Sequence, residues 1–452
     1  MTRFRFLPDL LAVAMLPLAA QPAAAQDSVP ATLAGHAYLP AFSFSVPPAD
    51  APREALVSGK FLTADARVGA PYTVPARTGL ATPFLGQPLQ GFSAYAAERT
   101  EDGHLIALID NGFGSKLNSS DALLSWTEIA PNFDTGETEI VDRIWLKDPD
   151  GHVPFRIVHE ATQERYLTGA DFDIESIQMV GDDVWIGEEF GPYLISATRD
   201  GVVTGVYPTE LDGAVLRSPD HPALRAGAIA GEDYTVPRSG GYEGMALTED
   251  GLLLAMLEKP LIAPGGESEG AFLRVIAFDP AARAWTGESF RFSLTPGASA
   301  IGDFNMIDAT RALVIERDSG EGAPSLACAA EGDAGCFRNP AMVKRVTLVD
   351  LGQISDTGEI ARLRQIDLMD IADPDRLARL ETDAQGLTET QFVFPFVTIE
   401  SVVRDGPEHI LVSNDNNLPF SAGRRLSTAD DNEIIRLHVP ELLAEERDRA
   451  AR

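Results

Sequence analysis

The chain has 452 residues, 44% of them hydrophobic, enough for a large buried core and too many for wholesale disorder. Its 36 basic and 68 acidic residues give a formal charge of −32, a surface that repels nucleic acid and anionic lipid. An anionic substrate would have to be met by bound cations or a local basic cluster.

The first residues combine Arg3 and Arg5, an apolar run interrupted by Asp9 and Pro17, and a small-residue cleavage site after Ala25. This is the pattern of a secretory signal peptide over residues 1–25, too short and broken for a membrane anchor. The mature chain is expected to be exported, periplasmic or secreted. Losing two arginines and one aspartate takes its charge to −33. No later run of about 18 apolar residues occurs, so no membrane span is expected. In an oxidising compartment the two cysteines, Cys328 and Cys336, are expected to close a surface loop as a disulfide.

Residues 26–88 are rich in Pro, Ala and Gly, with short strand-like pieces such as "ALVSGKFL". A loose repeat follows. Its copies are "GFSAYAAERTEDGHLIALIDN" from Gly91, "DIESIQMVGDDVWIGEE" from Asp173 and "GYEGMALTEDGLLLAMLEK" from Gly241. "GDFNMIDATRALVIER" from Gly302 and "TIESVVRDGPEHILVSNDN" from Thr398 complete it. Each copy reads as a hairpin, reversed at "EDG", "GDD", "EDG", "DAT" and "DGPE". Further strand patterns follow each hairpin, such as "LLSWTEI" with "EIVDRIWL", and the single "NEIIRLHV" after the last. Helical periodicity is confined to "DPDRLARLETDAQ" and the terminal "ELLAEERDRAAR".

Repeated four-stranded units in an all-β chain predict a β-propeller. Five units are visible, and six would require one hidden in residues 30–88. "ALVSGKFLTAD" is the candidate for the strand missing from the fifth unit, so that the termini close the ring. A β-sandwich with a second domain is the rival, and it explains the recurring hairpin less well. The expected division is a signal peptide at 1–25, an N-terminal segment contributing closing strands at 26–88, the propeller at 89–440, and a helical tail at 441–452.

Residues 171–194 hold seven carboxylates among the apolar residues of a buried strand pair. In a propeller the first strand of each blade lines a central channel, so acids at matched positions converge. Glu175, Glu243 and Glu400 are matched, with Asp303 near the fourth equivalent. The second strands end at Asp110–Asn111, Glu188–Glu189, Glu258, Glu316 and Asn414–Asp415–Asn416. Like charges held together raise each other's pKa. Two arrangements relieve this: a hard cation taking several oxygen ligands, or interleaved Lys259, Arg317 and Lys344. The expected metal ligands are Glu175, Glu188, Glu189, Glu243, Asp303, Glu400, Asn414 and Asp415. The competing reading has each acid accepting backbone amides of the next blade. Ca²⁺ or Mg²⁺ fits better than zinc, because no histidine stands at the matched acidic positions of the repeat. "GESEG" around Ser268 formally matches a nucleophile elbow but lies in a Gly/Glu-rich loop rather than a strand-to-helix turn.

"DIESIQMVGDDVWIGEEFGPYLI", "GYEGMAL", "DGLLLAMLEKP" and the late "IESVV", "HILVSNDNN" and "DDNEIIRL" together resemble the phytase-like family described as having esterase-like activity. The resemblance spans roughly residues 80–440 and implies an exported bacterial β-propeller that hydrolyses ester or phosphoester bonds. The related alkaline phytases are six-bladed and calcium-dependent. The chain lacks their "DDPA" block, so their calcium ligands are not carried across.

The function these readings predict is metal-assisted hydrolysis of a small-molecule ester or phosphoester. Glu175, Glu243 and Glu400 are expected as ligands or general base, with Arg317 completing the catalytic set. Lys259, Arg317 and Asn416 are expected to hold substrate oxygens. Two alternatives compete: a non-catalytic envelope propeller that binds a ligand or protein, and a metal-dependent lactonase.

Overall fold

Alternating apolar residues make half-buried strands, and the short Gly- and Asp-containing turns between them reverse the chain. The computed structural model describes residues 27–60, 72–73, 78–110, 112–380 and 390–445. The expected signal peptide and most of the expected helical tail lie outside them. The chain is all-β, with one helical turn, α1 (Pro440–Leu443), and two short 3₁₀ turns among the described residues.

After β1 (Ala31–Leu39) the strands fall into antiparallel groups. The first is β2 (Phe92–Tyr95), β3 (Leu105–Ile109), β4 (Ser125–Asn132) and β5 (Glu137–Trp145). The second is β6 (Ile174–Val180), β7 (Asp183–Glu188), β8 (Tyr193–Thr198) and β9 (Val203–Pro208). The third is β10 (Tyr242–Leu247), β11 (Leu253–Leu257), β12 (Phe272–Asp279) and β13 (Ala284–Ser293). The fourth is β14 (Ala300–Met306), β15 (Arg311–Arg317), β16 (Lys344–Ile354) and β17 (Ile360–Asp367). The last is β18 (Thr398–Arg404), β19 (His409–Asp415) and β20 (Asn432–His438).

The first strands β2, β6, β10, β14 and β18 lie side by side in chain order, and β18 returns against β2. The apolar faces are shared between neighbours. Ile106 and Trp126 of the first group pack with Ile177 and Ile186 of the second. Equivalent layers join the second to the third, the third to the fourth, the fourth to the last, and the last back to the first. Burial between groups, more than within them, therefore holds the ring together.

The strand added to the last group is β1, paired with β20 from Thr32↔His438 to Leu39↔Asn432. This corrects the expectation for "ALVSGKFLTAD". Val57–Ser58 pairs Phe84–Leu85 instead, and residues 61–65 lie outside the described ones. Gly59 ends that short strand with a positive φ of 79°, whereas the nine-residue β1 runs the full length of β20. The predicted helix over 373–385 is also absent across 373–380. There the Asp373 carboxylate accepts the amides of Leu377 and Ala378, a local alternative to helical pairing.

A buried ion pair locks the β1–β20 seam. Arg424 donates to both Glu433 oxygens, at 2.8 and 2.6 Å, and His36 Nε2 lies 3.2 Å from Glu433. Burial alone would raise the Glu433 pKa, but Arg424 and His36 hold it down to about 2. A folded pKa below the unfolded value of about 4.3 gives stability that is present above that value and lost as pH falls toward 2. Urea midpoints of wild type should therefore fall more steeply than those of Glu433→Gln across this acid window. Parallel slopes would show that the pair carries no pH-linked stability.

Two side-chain amides plug the axis below the site. Gln178 Nε2 donates to Met245 O and Asn305 Oδ1, and Gln178 Oε1 accepts the Ala97 amide. Asn305 Nδ2 donates to Tyr95 O and Val402 O. All five groups are thus tied at one level.

Candidate active site at the mouth of the ring

Each first strand carries a register shift at the same place. Pairing skips one residue between Phe92 and Ala94, Ile174 and Ser176, Tyr242 and Gly244, Ile301 and Asp303, and Ile399 and Ser401. The skipped residues are Ser93, Glu175, Glu243, Gly302 and Glu400. A bulge re-aims the extra side chain, which turns these three glutamates toward the axis. The repeated "E-S" or "E-G" of the sequence is therefore a bulge signature.

Asp303 is one residue out of this register. It accepts the amides of Phe304 and of Val402 in the next group, at 2.7 Å each. The bulge residue of the fourth group is Gly302, where a Cβ would lie 1.8 Å from Ile399 O. No acid fits there. Asp303, expected as a metal ligand, instead accepts amides that link the fourth and last groups.

The residues just past the strand positions opposite the bulges form a second layer: Asp110, Glu189, Glu258, Arg317 and Asp415. Arg317 occupies a position that is acidic in the other groups. Its Nη2 lies 2.8 Å from Glu258, 3.3 Å from Glu243 and 3.4 Å from Glu400. Lys259 Nζ meets the other oxygen of Glu258 at 2.6 Å. On the far side, a Cβ at Gly91 would lie 2.6 Å from Asp110 Oδ1 and 3.2 Å from Asp415 Oδ1, so glycine lets these two acids approach. Asp173 joins from two residues before the bulge of the second group.

Oxygens of Asp173, Glu175 and Glu189 lie within 4.8 Å of one another, as do those of Glu189, Glu243 and Glu258. Burial first, then the neighbouring carboxylates, raises the pKa of Glu175, Glu189 and Glu400 well above the usual range. The same causes raise Glu243 to about 8, against the pull of Arg317. Arg317 and Lys259 pair with the set around Glu258, and the charge of Lys259 also reaches Glu189, whose Oε1 is buried without a hydrogen-bond partner. The oxygens of Asp173, Glu175 and Glu189 thus fit a hard cation: 4.8 Å is about twice the Ca–O distance of ~2.4 Å.

Other acids of the sequence set are committed to the backbone. Glu188 accepts the amides of Phe190, Gly191 and Tyr193. Asn414 bonds Asp431 O and the Glu433 amide, and Asn416 bonds Asp430 O and the Gly91 amide. Glu316 is buried beneath Arg362, Thr295 and Thr347. Lys344 bonds Asp318 and the Val397 carbonyl. Glu188, Asn414 and Asn416, expected as ligands or substrate contacts, thus make structural links, as do the strand-end Glu316 and the interleaved Lys344. Arg317 spends its Nη2 on three carboxylates, and Lys259 Nζ pairs with Glu258. Asp415 stays at the mouth, one oxygen held by the Asn417 amide.

Asp173 was given no role from sequence, and Asp110 and Glu258 appeared only as strand ends. Counting two residues back from each bulge would have found Asp173. Cys328 and Cys336 form the expected disulfide, in the connection that leaves the Arg317 end of β15. No helix among the described residues is long and apolar enough to cross a membrane.

A family model described as phytase-like, esterase-like activity of phytase, matches residues 87–418. The chain belongs to the phytase-like family. The match runs from the first bulged strand to the mouth residues after β19. Comparison with curated proteins finds no match. Among solved structures this phytase-like chain is similar to a luciferin-regenerating enzyme at 8% identity and a TM-score of 0.37, covering 91% of this chain and 97% of that one. It is similar to Myxococcus xanthus glutaminyl cyclase at 9% identity, TM-score 0.33, covering 77% and 92%. It is also similar to an endo-arabinanase from Bacillus licheniformis at 10% identity, TM-score 0.33, covering 77% and 93%.

Proposed function

We propose that this phytase-like protein is an exported hydrolase of ester or phosphoester bonds, built as a five-bladed propeller with one divalent cation at its mouth. The observation that carries the reading is the unequal neutralisation of the mouth. Arg317 and Lys259 form ion pairs with Glu243, Glu258 and Glu400, while Asp173, Glu175 and Glu189 converge with only the charge of Lys259 reaching Glu189 and a buried oxygen of Glu189 unpartnered. Unrelieved like charges in a buried site are costly, and a hard cation relieves them. Oxygen-only ligands favour Ca²⁺ or Mg²⁺ over softer metals. Export is supported by the disulfide.

Asp173, Glu175 and Glu189 would hold the cation. When bound, it supplies Lewis acidity to an ester or phosphoryl oxygen and lowers the pKa of bound water. Glu400, paired with Arg317 at 3.4 Å, would accept the proton of the attacking water. Gln178 and Asn305 cross-link the strands that carry these acids and hold them in register.

Hydrolysis of para-nitrophenyl phosphate and para-nitrophenyl acetate tests this, with elemental analysis before and after chelation. Activity should vanish with removal of the metal and return with Ca²⁺ or Mg²⁺. Hydrolysis that survives complete metal removal refutes the metal-assisted mechanism. Tightly held metal with no turnover of either ester leaves a binding propeller.

A further inference from the structure

Two histidines meet at the end of the last group that points away from the mouth. β19 runs from His409 to Asp415, and Asp415 is at the mouth, so His409 lies on the opposite face of the ring. His409 is paired directly with His438, the last residue of β20. The Val439 amide donates to Glu408 O at 2.8 Å, and His409 O accepts the Asp405 amide on its other side. Hydrogen bonds therefore flank this cross-strand pair instead of joining it, the register in which facing side chains stand closest. The two imidazole centroids are 5.0 Å apart.

That spacing suits a shared metal ion. Metal–nitrogen bonds of about 2.1 Å at tetrahedral angles put two imidazole centroids about 5 Å apart and neighbouring ligand atoms about 3.4 Å apart. Glu408 Oε2 lies 3.5 Å from His438 Nε2, the length of such an edge and long for a hydrogen bond. The neighbouring carboxylate of Asp405 is spent on Arg99 at 2.9 Å and Arg436 at 2.6 Å. Glu408 pairs with no lysine or arginine among the described residues. The side chains of His438 and Glu408 are 41% and 57% exposed, so an ion reaches them from solvent without opening the fold. Burial, then the charges of Arg436 and His438, lower the pKa of His409 against the pull of Asp405 and Glu408. Its ring is neutral at pH 7 and keeps a lone pair to give.

We propose that His409, His438 and Glu408 form a site for a transition-metal ion of the Zn²⁺ type on the face of the ring away from the mouth. Two imidazoles and a carboxylate are a donor set for zinc, not for calcium. The ion staples the start of β19 to the end of β20. β20 is also the strand on which β1 closes the ring, through Thr32↔His438 at this same end. An ion that binds only the folded chain therefore strengthens closure. The site shares no residue with the acids of the mouth and does not depend on the hydrolytic reading.

Calorimetric titration of the untagged protein with Zn²⁺, in excess Ca²⁺, tests this in wild type, His409→Asn, His438→Asn and Glu189→Gln. Wild type should bind one Zn²⁺, and each histidine variant should bind it at least about tenfold more weakly, the lower end of the loss that even an outer partner of a ligand causes. Glu189→Gln should match wild type. Zn²⁺ should raise the thermal midpoint of wild type and leave that of His409→Asn unchanged, with the two metal-free midpoints alike. Equal zinc affinity in wild type and both histidine variants overturns the inference, as does the absence of zinc binding to wild type. Zinc affinity lost in Glu189→Gln but kept in the histidine variants puts the ion at the mouth and overturns it as well.

Discussion

Arg317→Met should destabilise the protein by about 3–5 kcal/mol, among the largest effects expected of a single substitution. Arg317 is 8% exposed and meets Glu243, Glu258 and Glu400 through one nitrogen. Removing it leaves three buried carboxylates facing each other, with only Lys259 near Glu258. The loss reflects uncompensated charge more than lost packing, because methionine keeps much of the apolar stem. Adding Glu243→Gln should recover part of it, giving a coupling energy that urea unfolding of the double-mutant cycle reads directly. Additive losses would mean that Arg317 acts through packing alone.

Glu189→Gln should move stability and cation affinity in opposite directions. Without metal, Glu189 faces Glu258, Asp173 and Glu243 at close range, and burial compounds the repulsion. Its neutral isostere removes that repulsion, so the thermal midpoint of metal-free protein should rise. Partners of metal ligands already cost 10–100-fold in affinity when lost, so loss of a direct ligand should weaken Ca²⁺ binding by at least about 100-fold. Ester hydrolysis should fall with it. Calorimetric Ca²⁺ titration beside thermal melts separates the outcomes. A lower midpoint with unchanged cation binding would make Glu189 a structural residue and remove the basis for the cation site. Stability traded for function in this way is common where like charges are gathered for chemistry.

Much of this organisation is legible in the chain itself. The spacing of the hairpins and their turn residues fixes the strand pairs, because period-two alternation and Gly/Asp turns act locally. The "E-S" and "E-G" repeats mark the three glutamates that the bulges aim at the axis, since the same local kink recurs in each first strand. The paired cysteines and the acidic character of the mouth follow from composition and position.

What the sequence could not decide depends on register and on contacts far along the chain. One residue of slip separates Asp303 from the bulge position and sends its carboxylate to the Val402 amide. Glu188 and Glu189 are adjacent in sequence, yet one accepts three backbone amides and the other keeps a buried oxygen without a partner. The strand that completes the last group, Ala31–Leu39, was chosen by pairing across nearly the whole chain. Arg317 and Lys259 read as substrate cations until their glutamate partners are seen. Sequence alone determined which side chains are acidic and which strands recur. Tertiary structure decided which carboxylates are satisfied and which are left facing one another, because desolvation and charge pairing act between residues that only the closed ring brings together.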